Sequence, residues 1–547
     1  MRSGQAHRRG HDRSAARLSG LGVSSGGFKT MSGMGQNFIA ADRDQVLLMP
    51  PALVDWLPEE HFVWTVLGAV EQMDLAAFYG AYRANGQGRA AYDPQMLLSL
   101  LLYAYATGVS SSRQIERCCE VDVAFKVIAA MRVPDHSTIA EFRRRHQDAI
   151  GEVFVRILAL CAEAGLVRVG VIAIDGTKIA ANASRDCGRS YVSIVEELLA
   201  DAEQADRDED ERHGNDRGDE PPAGLRSRDE RRHALAEAKA RLLAQRQQQL
   251  QTGEAAEFDA GIDLDLEELK RRQQGRRSWQ REASHQLQAH RERQADPIPR
   301  GRRERLEDAK RRLEQELAVD TAANQAYEEF HASGRDTLGR RMGKHPKPHT
   351  PPVLPEATVN LTDPDSRLIH DKRLTKLQGY NAQAAVSCDG QIILAAEIST
   401  RSPDFGHLAP VFDAAVRDLT LAGVHQRPQT VLADTGYWHS EQTDQIVAAG
   451  TQVLIPPQSR TRTTPRPGWD TGRYAFMRAV LDSPAGSTLY HQRAQSIEPT
   501  FGQIKHNRGF RQFRRRGRAA ARSEWRLITA THNLLKLHQH WIAPATA

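Results

Sequence analysis

VIAIDGTKIAANAS, from Val171 to Ser184, opens with four apolar residues that run straight into Asp175. Gly176, Thr177 and Lys178 follow, and then a second apolar pair, Ile179 and Ala180. A short, partly β-branched apolar run reads as a buried strand. A carboxylate near the middle of such a strand is costly unless something compensates its charge. The same form recurs in QTVLADTGYWHS, a second buried strand that ends in Asp434. Taken singly, each aspartate reads as a turn cap, because Asp-Gly and Asp-Thr are common turn pairs. Taken together on neighbouring strands, two carboxylates repel each other. A bound divalent cation relieves both costs, and hard cations such as Mg2+ prefer carboxylate oxygens.

Working outward, GYNAQAAVSCDGQIILAAEIST reads as two strands joined by a hairpin turn at Asp389-Gly390. DFGHLAPVFDAAVRDLTLAG is a helix, SEQTDQIVAAG another, and TQVLIPP a last short strand. The order strand, hairpin, helix, strand, helix, strand predicts a mixed α/β sheet. Between the first strand and the hairpin lies a long stretch rich in Glu, Gln, Arg, Ala and Leu, with short, broken leucine heptads. It reads as helices packed in hairpins rather than one coiled coil. Asp186-Cys187-Gly188 offers the exit from the sheet, and the proline-rich KHPKPHTPPVLPE the return. The block is expected to protrude and not to supply the main core.

Upstream, residues from about 52 to 165 read as helical. AYDPQMLLSLLLYAYATG has Asp93 as N-cap, Pro94 at the first helical position and Gly108 at the close. VPDHSTIAEFRRRHQDAI starts at a polar turn and continues into Arg143, Arg144 and Arg145. That pattern fits a helix-turn-helix-like DNA reader as well as an ordinary bundle with a wet basic face.

The third element of interest is STLYHQRAQSIEPTFGQIKHNRGF. Glu498 sits there among Tyr490, Arg493, Lys505, His506 and Arg508, and Pro499 disfavours smooth α geometry at Glu498. The glutamate reads either as an ion-pair partner or as a third metal ligand with cations around it. RGFRQFRRRGRAAAR follows, with Phe510 and Phe513 alternating with Arg511, Arg514, Arg515 and Arg516. Fifteen basic residues against four acidic ones between Arg460 and Arg526 point to a polyanion partner, with a solvated charged face as the plainer reading.

Composition agrees with a globular chain of 547 residues, 26% charged, with a formal net charge of +5 and a mean hydropathy of −0.56. No apolar run is long enough to span a membrane, which excludes a helical membrane protein. The five cysteines show no CxxC pairing, which argues against a zinc site or a disulfide framework and fits a reducing cytoplasm. The basic N-terminus lacks the apolar core of a secretory signal and reads as a disordered tail over residues 1–33, with MGQNFIAADRDQ from Met34 as the true start.

These motifs, GVIAIDGTKIAANAS, YNAQAAVSCDGQ, VLADTGYW and SIEPTFGQIKHNRGFRQFRRRG, resemble those of bacterial insertion-sequence DDE transposases. The branch in question is the family numbered eleven-eighty-two, in the wider group with Tyr-Arg-Glu-Lys signatures. MGQNFIAADRDQ, AYDPQMLLSLLLYAYATGVSSSRQIER and PDHSTIAEFRRRH look like that family's N-terminal domain. The resemblance implies an α/β RNase H-like catalytic core with an all-α N-terminal domain and a long helical insertion. Its implied boundaries are 34–168 for a helical DNA-binding domain, 169–189 with 350–540 for the core, and 190–349 for the charged insertion.

Asp175 matches the first-strand aspartate, Asp434 the fourth-strand aspartate, and Glu498 the glutamate of the late helix. Tyr490, Arg493 and Lys505 match the rest of the signature, although four residues separate Arg493 from Glu498 where the wider group has three. The implied cofactor is a pair of Mg2+ ions, for which Mn2+ substitutes. The implied partners are double-stranded DNA, as terminal inverted repeats and target, and a second copy of the chain, in the cytoplasm at the nucleoid. Arg143, Arg144, Arg145, His506, Arg508, Arg511, Arg514, Arg515 and Arg516 are expected along the DNA with Tyr490, Arg493 and Lys505. The rivals are a metal-dependent nuclease on the same core, an inactive DNA-binding transposon relic, and a helical scaffold organised by the insertion.

Overall fold

The computed structural model describes residues 52–542, except 83–89, 214–228, 230–231, 234–235, 238–260, 272–274, 295–297, 336–346, 350–351, 353, 371–375 and 459–470. The expected disordered tail over 1–33 and the start at Met34 lie outside the described residues.

The N-terminal part is helical: α1 Phe62–Glu71, α2 Ala76–Tyr79, α3 Pro94–Ala106, α4 Ser112–Val121, α5 Val123–Ile128, α6 His136–Arg145 and α7 Gln147–Glu163. Its starts follow local chemistry. Asp93, Asp122 and Asp135 each accept a hydrogen bond from a backbone N–H of the helix that they precede, which satisfies donors with no intrahelical partner. Gly108, at φ +84°, ends α3 in the left-handed region.

Strand β1 spans Val171–Ala180 and β2 Gly188–Ser190; α8 (Tyr191–His213) then leads into the insertion. There α9 Leu266–Arg271, α10 Arg276–Gln294 and α11 Arg302–Ala332 follow. The chain returns through β3 Thr358–Asn360 to β4 Arg367–His370, β5 Lys376–Ser387 and β6 Ile393–Ser399. The last elements are α12 Leu408–Leu421, β7 Thr430–Ala433, α13 Ser440–Ala448, β8 Gln452–Leu454, α14 Gly472–Asp482, α15 Pro484–Gly502 and α16 Arg518–Ile542.

β5 lies antiparallel to β1, with Ile172 opposite Ser387 and Ala180 opposite Gly379. The other edge of β5 pairs first with β4 and then with β6. The hairpin turn between β5 and β6 carries its left-handed residues at Gly390 and Gln391. On the far side of β1, β7 runs parallel and β8 continues the sheet. This mixed order, with antiparallel strands on one side of β1 and parallel ones on the other, is compatible with an RNase H-like core.

The insertion leaves and returns through one neck. β2 and β3 pair as a two-stranded ribbon, with Gly188 opposite Asn360. Beyond it, α10 and α11 form a hairpin with its own small core around Trp279, Leu287, Val319 and Tyr327. A second cluster at the neck joins Ile194, Leu306 and Leu313 to Val359. Both clusters are separate from the main core.

The main core differs from the expected division into domains. One hydrophobic cluster runs from Val63 in α1 through the sheet to Leu537 in α16. Helix α16 is its axis: Trp525 is fully buried and donates through Nε1 to Gln383 O of β5 at 2.9 Å. On its other side, Glu524 accepts from Tyr105 Oη of α3 at 2.9 Å, and Arg526 donates to Gly151 O of α7 at 2.8 Å. The N-terminal helices therefore complete the core instead of standing as a separate body. Their apolar faces were legible in the sequence; the partner that covers them lies almost 400 residues downstream and was not. Trp525→Ala is expected to cost about 3–5 kcal/mol of stability, read by urea unfolding followed by circular dichroism. A loss under about 1 kcal/mol would show that α16 is not the axis.

Candidate active site

The site is built by register. Ile174 of β1 is the parallel partner of Ala433 of β7, so the next residues, Asp175 within β1 and Asp434 just past the end of β7, lie side by side. Asp175 is 5% exposed. Its Oδ1 accepts from Gly176 N at 2.8 Å, as Asp434 Oδ1 accepts from Gly436 N at 2.8 Å. Asp434 thus caps the turn Thr435–Tyr437, as its turn reading expects, whereas Asp175 lies within β1 opposite Ala384 and caps no turn; neither contact explains why the two carboxylates adjoin.

Arg493, from α15, compensates them. Its Nη2 donates to Asp175 Oδ2 at 2.7 Å and lies 3.9 Å from Asp434 Oδ2. Burial lowers the pKa of this guanidinium, but Asp175, Tyr490 and Asp434 outweigh burial and the net shift is upward. Tyr490, one turn earlier, donates to Ala433 O at 3.2 Å and ties α15 to the end of β7. Lys505 sits in a π-helical turn, Gln503–Asn507, and donates to Thr177 Oγ1 and Lys178 O, each at 3.0 Å. Tyr490, Arg493 and Lys505 thus brace β1 and β7 from the α15 side.

Glu498 is exposed, on the stripe of α15 that His491 and Ala494 begin at helix spacing. His491 and Ala494 line a cavity of about 470 Å3 with Asp434, Tyr490 and Arg493. Glu498 continues that stripe one turn further along. It does not close with the two aspartates: among the described residues, only Glu116, Asp135 and His136 bring three such groups within 4.8 Å of one another.

The donor set suits a hard divalent cation. Oxygen ligands converge from two adjacent strands, and a positive group already bridges them. In addition, Asn381 of β5, fully buried, has an amide oxygen with no hydrogen-bond partner. An unsatisfied buried carbonyl is costly and is itself a hard ligand.

A second cavity, about 680 Å3, is lined by arginines of three regions. Arg144 and Arg145 come from α6, Arg291 and Arg311 from the insertion, and Arg514, Arg515 and Arg516 from the segment before α16. Arg511 lies exposed beside His506, with Arg511 Nη2 and His506 Nδ1 3.3 Å apart.

Two expected DNA contacts are buried instead. Arg143 donates to Tyr105 Oη and Ser110 O, each at 2.9 Å, and to Ser112 Oγ. Arg508 donates to Thr531 Oγ1 at 2.7 Å and Ile528 O at 3.1 Å, and burial pulls its guanidinium down to about 9. Phe510 and Phe513 are also core residues, Phe510 stacked on Tyr105. The interleaved aromatics therefore anchor the segment, with Arg511, Arg514 and Arg516 exposed and Arg515 partly buried against Gln147.

Sequence reasoning passed over Asp404, Asn381 and Gln383. Asp404 lies in the loop before α12 and accepts from both amides, at 2.8 and 2.9 Å. Its signal was a carboxylate in a Pro-Asp-Phe-Gly loop, read only as the start of a helix.

Residues 51–145 match the family model of a transposase domain (DUF772), and residues 458–538 that of a transposase DDE domain. The second match contains Tyr490, Arg493, Glu498 and Lys505; Asp175 and Asp434 lie outside both. No curated protein and no solved structure matches the chain. The two matches support the function of a DDE transposase, an enzyme with polynucleotidyl transferase activity. Among the described residues no helix is long and apolar enough to cross a membrane. Arg493→Met is expected to lower stability by about 3–5 kcal/mol in metal-free buffer, because it leaves a buried carboxylate unpaired. A drop under about 1 kcal/mol in the same unfolding assay would show that the guanidinium does not hold the pair.

Proposed function

We propose that this transposase binds the terminal inverted repeats of an insertion sequence, cleaves DNA phosphodiesters there, and joins the 3′ ends to target DNA. The work is done on an RNase H-like core, with Asp175, Asp434 and Glu498 as ligands of two divalent cations, Mg2+ or Mn2+. The observation that carries this reading is the parallel register of β1 and β7, which sets Asp175 and Asp434 side by side with one cationic side chain between them.

Bound divalent cations supply Lewis-acid charge at the scissile phosphate and promote the attacking hydroxyl. The protein's own share is positioning. Asp175, buried and tethered at Oδ1 by Gly176 N, has one rotamer to offer. Asp434 is capped in the same way but is 41% exposed and faces the cavity where a phosphate can enter. Arg493 keeps the two carboxylates from repelling one another, and it is placed to hold a non-bridging phosphate oxygen as they take up cations. Glu498, exposed on the same stripe of α15, completes the ligand set through a small rotation or shift of that helix. The substrate backbone runs through the arginine-lined cavity, where Arg144, Arg145, Arg514, Arg515 and Arg516 contact phosphates. Two copies of the chain serve the two ends.

Cleavage and joining are measured on end fragments of the DNA that flanks the gene. Asp175→Asn, Asp434→Asn and Glu498→Gln are each expected to reduce cleavage to background while end binding persists. Near-normal metal-dependent cleavage by any of them removes that residue from the ligand set. Cleavage by the wild type with no joined product identifies a nuclease instead. Arg514→Gln and Arg516→Gln together are expected to flatten the slope of log affinity against log salt by about 2; an unchanged slope takes the DNA off this surface.

A further inference from the structure

Asp404 is held by one oxygen only. Its Oδ1 accepts from Asn381 Nδ2 at 2.8 Å and Gln383 Nε2 at 2.9 Å, and Lys178 Nζ lies 3.3 Å away. Three donors on one oxygen fix the carboxylate plane. The other oxygen, Oδ2, faces Gly436. A Cβ built on Gly436 would stand 3.8 Å from Asp404 Oδ2 and 3.0 Å from Asp434 Oδ1. Two carboxylate oxygens from different loops thus border one space that the glycine leaves open.

Gly176 marks a close approach instead, because the polar groups around Asp404 fill the place a side chain would take. A Cβ there would lie 2.7 Å from Asp404 Oδ1, 2.7 Å from Asn381 Oδ1, and closer still to Gln383 Nε2. Asn381 is fully buried, and its Nδ2 is spent on Asp404 and on Arg401 O at 3.2 Å. That fixes the amide orientation, so the unpartnered Oδ1, which stands beside Asp404 Oδ1 at Gly176, cannot be relieved by a flip. The small residues beside Asp175 and Asp434 therefore make room for Asp404. Tyr437, which donates to Gln383 Oε1, senses the whole group: burial raises its pKa most, and Asp404, Asp175 and Asp434 each raise it further.

Asp404 as a mere counter-ion of Lys178 accounts for Oδ1. It leaves unexplained the free face of Oδ2, the space over Gly436, and the stranded amide oxygen of Asn381. We propose that Asp404 is a fourth carboxylate of the metal centre, and that its Oδ2 shares a divalent cation with Asp434. Asn381, Gln383 and Lys178 orient it, as partners behind a metal ligand commonly do. This inference rests on the reading of Asp434 as a ligand.

The test is Mn2+ binding to the full chain without DNA, by electron paramagnetic resonance of free Mn2+. Fe2+-generated hydroxyl-radical cuts in the backbone locate the ion. Asp404→Asn is expected to weaken Mn2+ binding by at least about 10-fold, no less than the loss of a partner behind a ligand, and to remove the cuts near residues 404 and 434, with an unchanged circular dichroism spectrum. Gly436→Ala, which fills the space and keeps every carboxylate, is expected to weaken binding as Asp404→Asn does, and it decides the matter should Asp404→Asn fail to fold. Full Mn2+ affinity in Asp404→Asn and Gly436→Ala beside a loss in Asp434→Asn overturns this inference alone. No Mn2+ binding by the wild type overturns the metal centre with it.

Discussion

Two carboxylates leave adjacent parallel strands at the same level, and one of them is almost fully buried. Burial and mutual repulsion both act against the ionised pair. Much of the surrounding structure follows from that constraint. A guanidinium must reach in from α15, so α15 must lie across the ends of β1 and β7. Tyr490 anchors that helix to Ala433 O, and Lys505 anchors its continuation to β1. The π-helical turn at Gln503–Asn507 carries Lys505 at the place where Thr177 Oγ1 and Lys178 O are found. The glycines after each aspartate belong to the same constraint, because a side chain at either would strike the polar cluster between them.

The sheet stands on a helix that the sequence places at the far end of the chain. Helix α16 packs against β5 and β6 on one side and against α3 and α7 on the other. Its polar groups are matched one by one: Trp525 to Gln383 O, Asn533 to both backbone groups of Ile393, Glu524 to Tyr105. Residues of the arginine-rich segment just before α16 are held in turn by Glu524, which accepts from the backbone N–H groups of Arg514 and Arg515. A buried helix thus holds the segment that carries the exposed Arg514 and Arg516, and the insertion brings further arginines to the same cavity.

Much of this was legible in the sequence where the signal was local. The aspartate-bearing strands, the hairpin and the alternation with helices are patterns of a few residues each, and they point to a mixed sheet; the run of β1 past Asp175 to Ala180 and the order of strands across the sheet are set by pairing with β5 and β7. The neck of the insertion followed from chain continuity, since β1 and β5 must pair and the intervening residues must return to where they left. What was not legible depends on partners distant in sequence. Arg143 and Arg508 belong to runs of basic residues that look uniform; only Tyr105, Ser110 and Thr531 set these two apart. Phe510 and Phe513 alternate with arginines in a segment that points to a polyanion, but that spacing equally sets a core face, and Tyr105 and Tyr380 occupy it. Asp404 was hidden because its partners, Asn381 and Gln383, alternate along β5 with buried alanines and look like ordinary strand residues. The angular position of Glu498 depends on how α15 is rotated, which Pro499 alone does not specify.

In the proposed mechanism everything turns on Asp175 and Asp434 holding the catalytic cation together. Anomalous diffraction from crystals of the protein with its end DNA, grown in Mn2+, tests it most directly. A Mn2+ peak within coordination distance of carboxylate oxygens of both Asp175 and Asp434, about 2.0–2.1 Å for an ion in a Mg2+ site, is expected, with the Arg493 guanidinium displaced toward phosphate. Mn2+ bound instead at Glu116, Asp135 and His136, with Arg493 still between two unliganded aspartates, would contradict it.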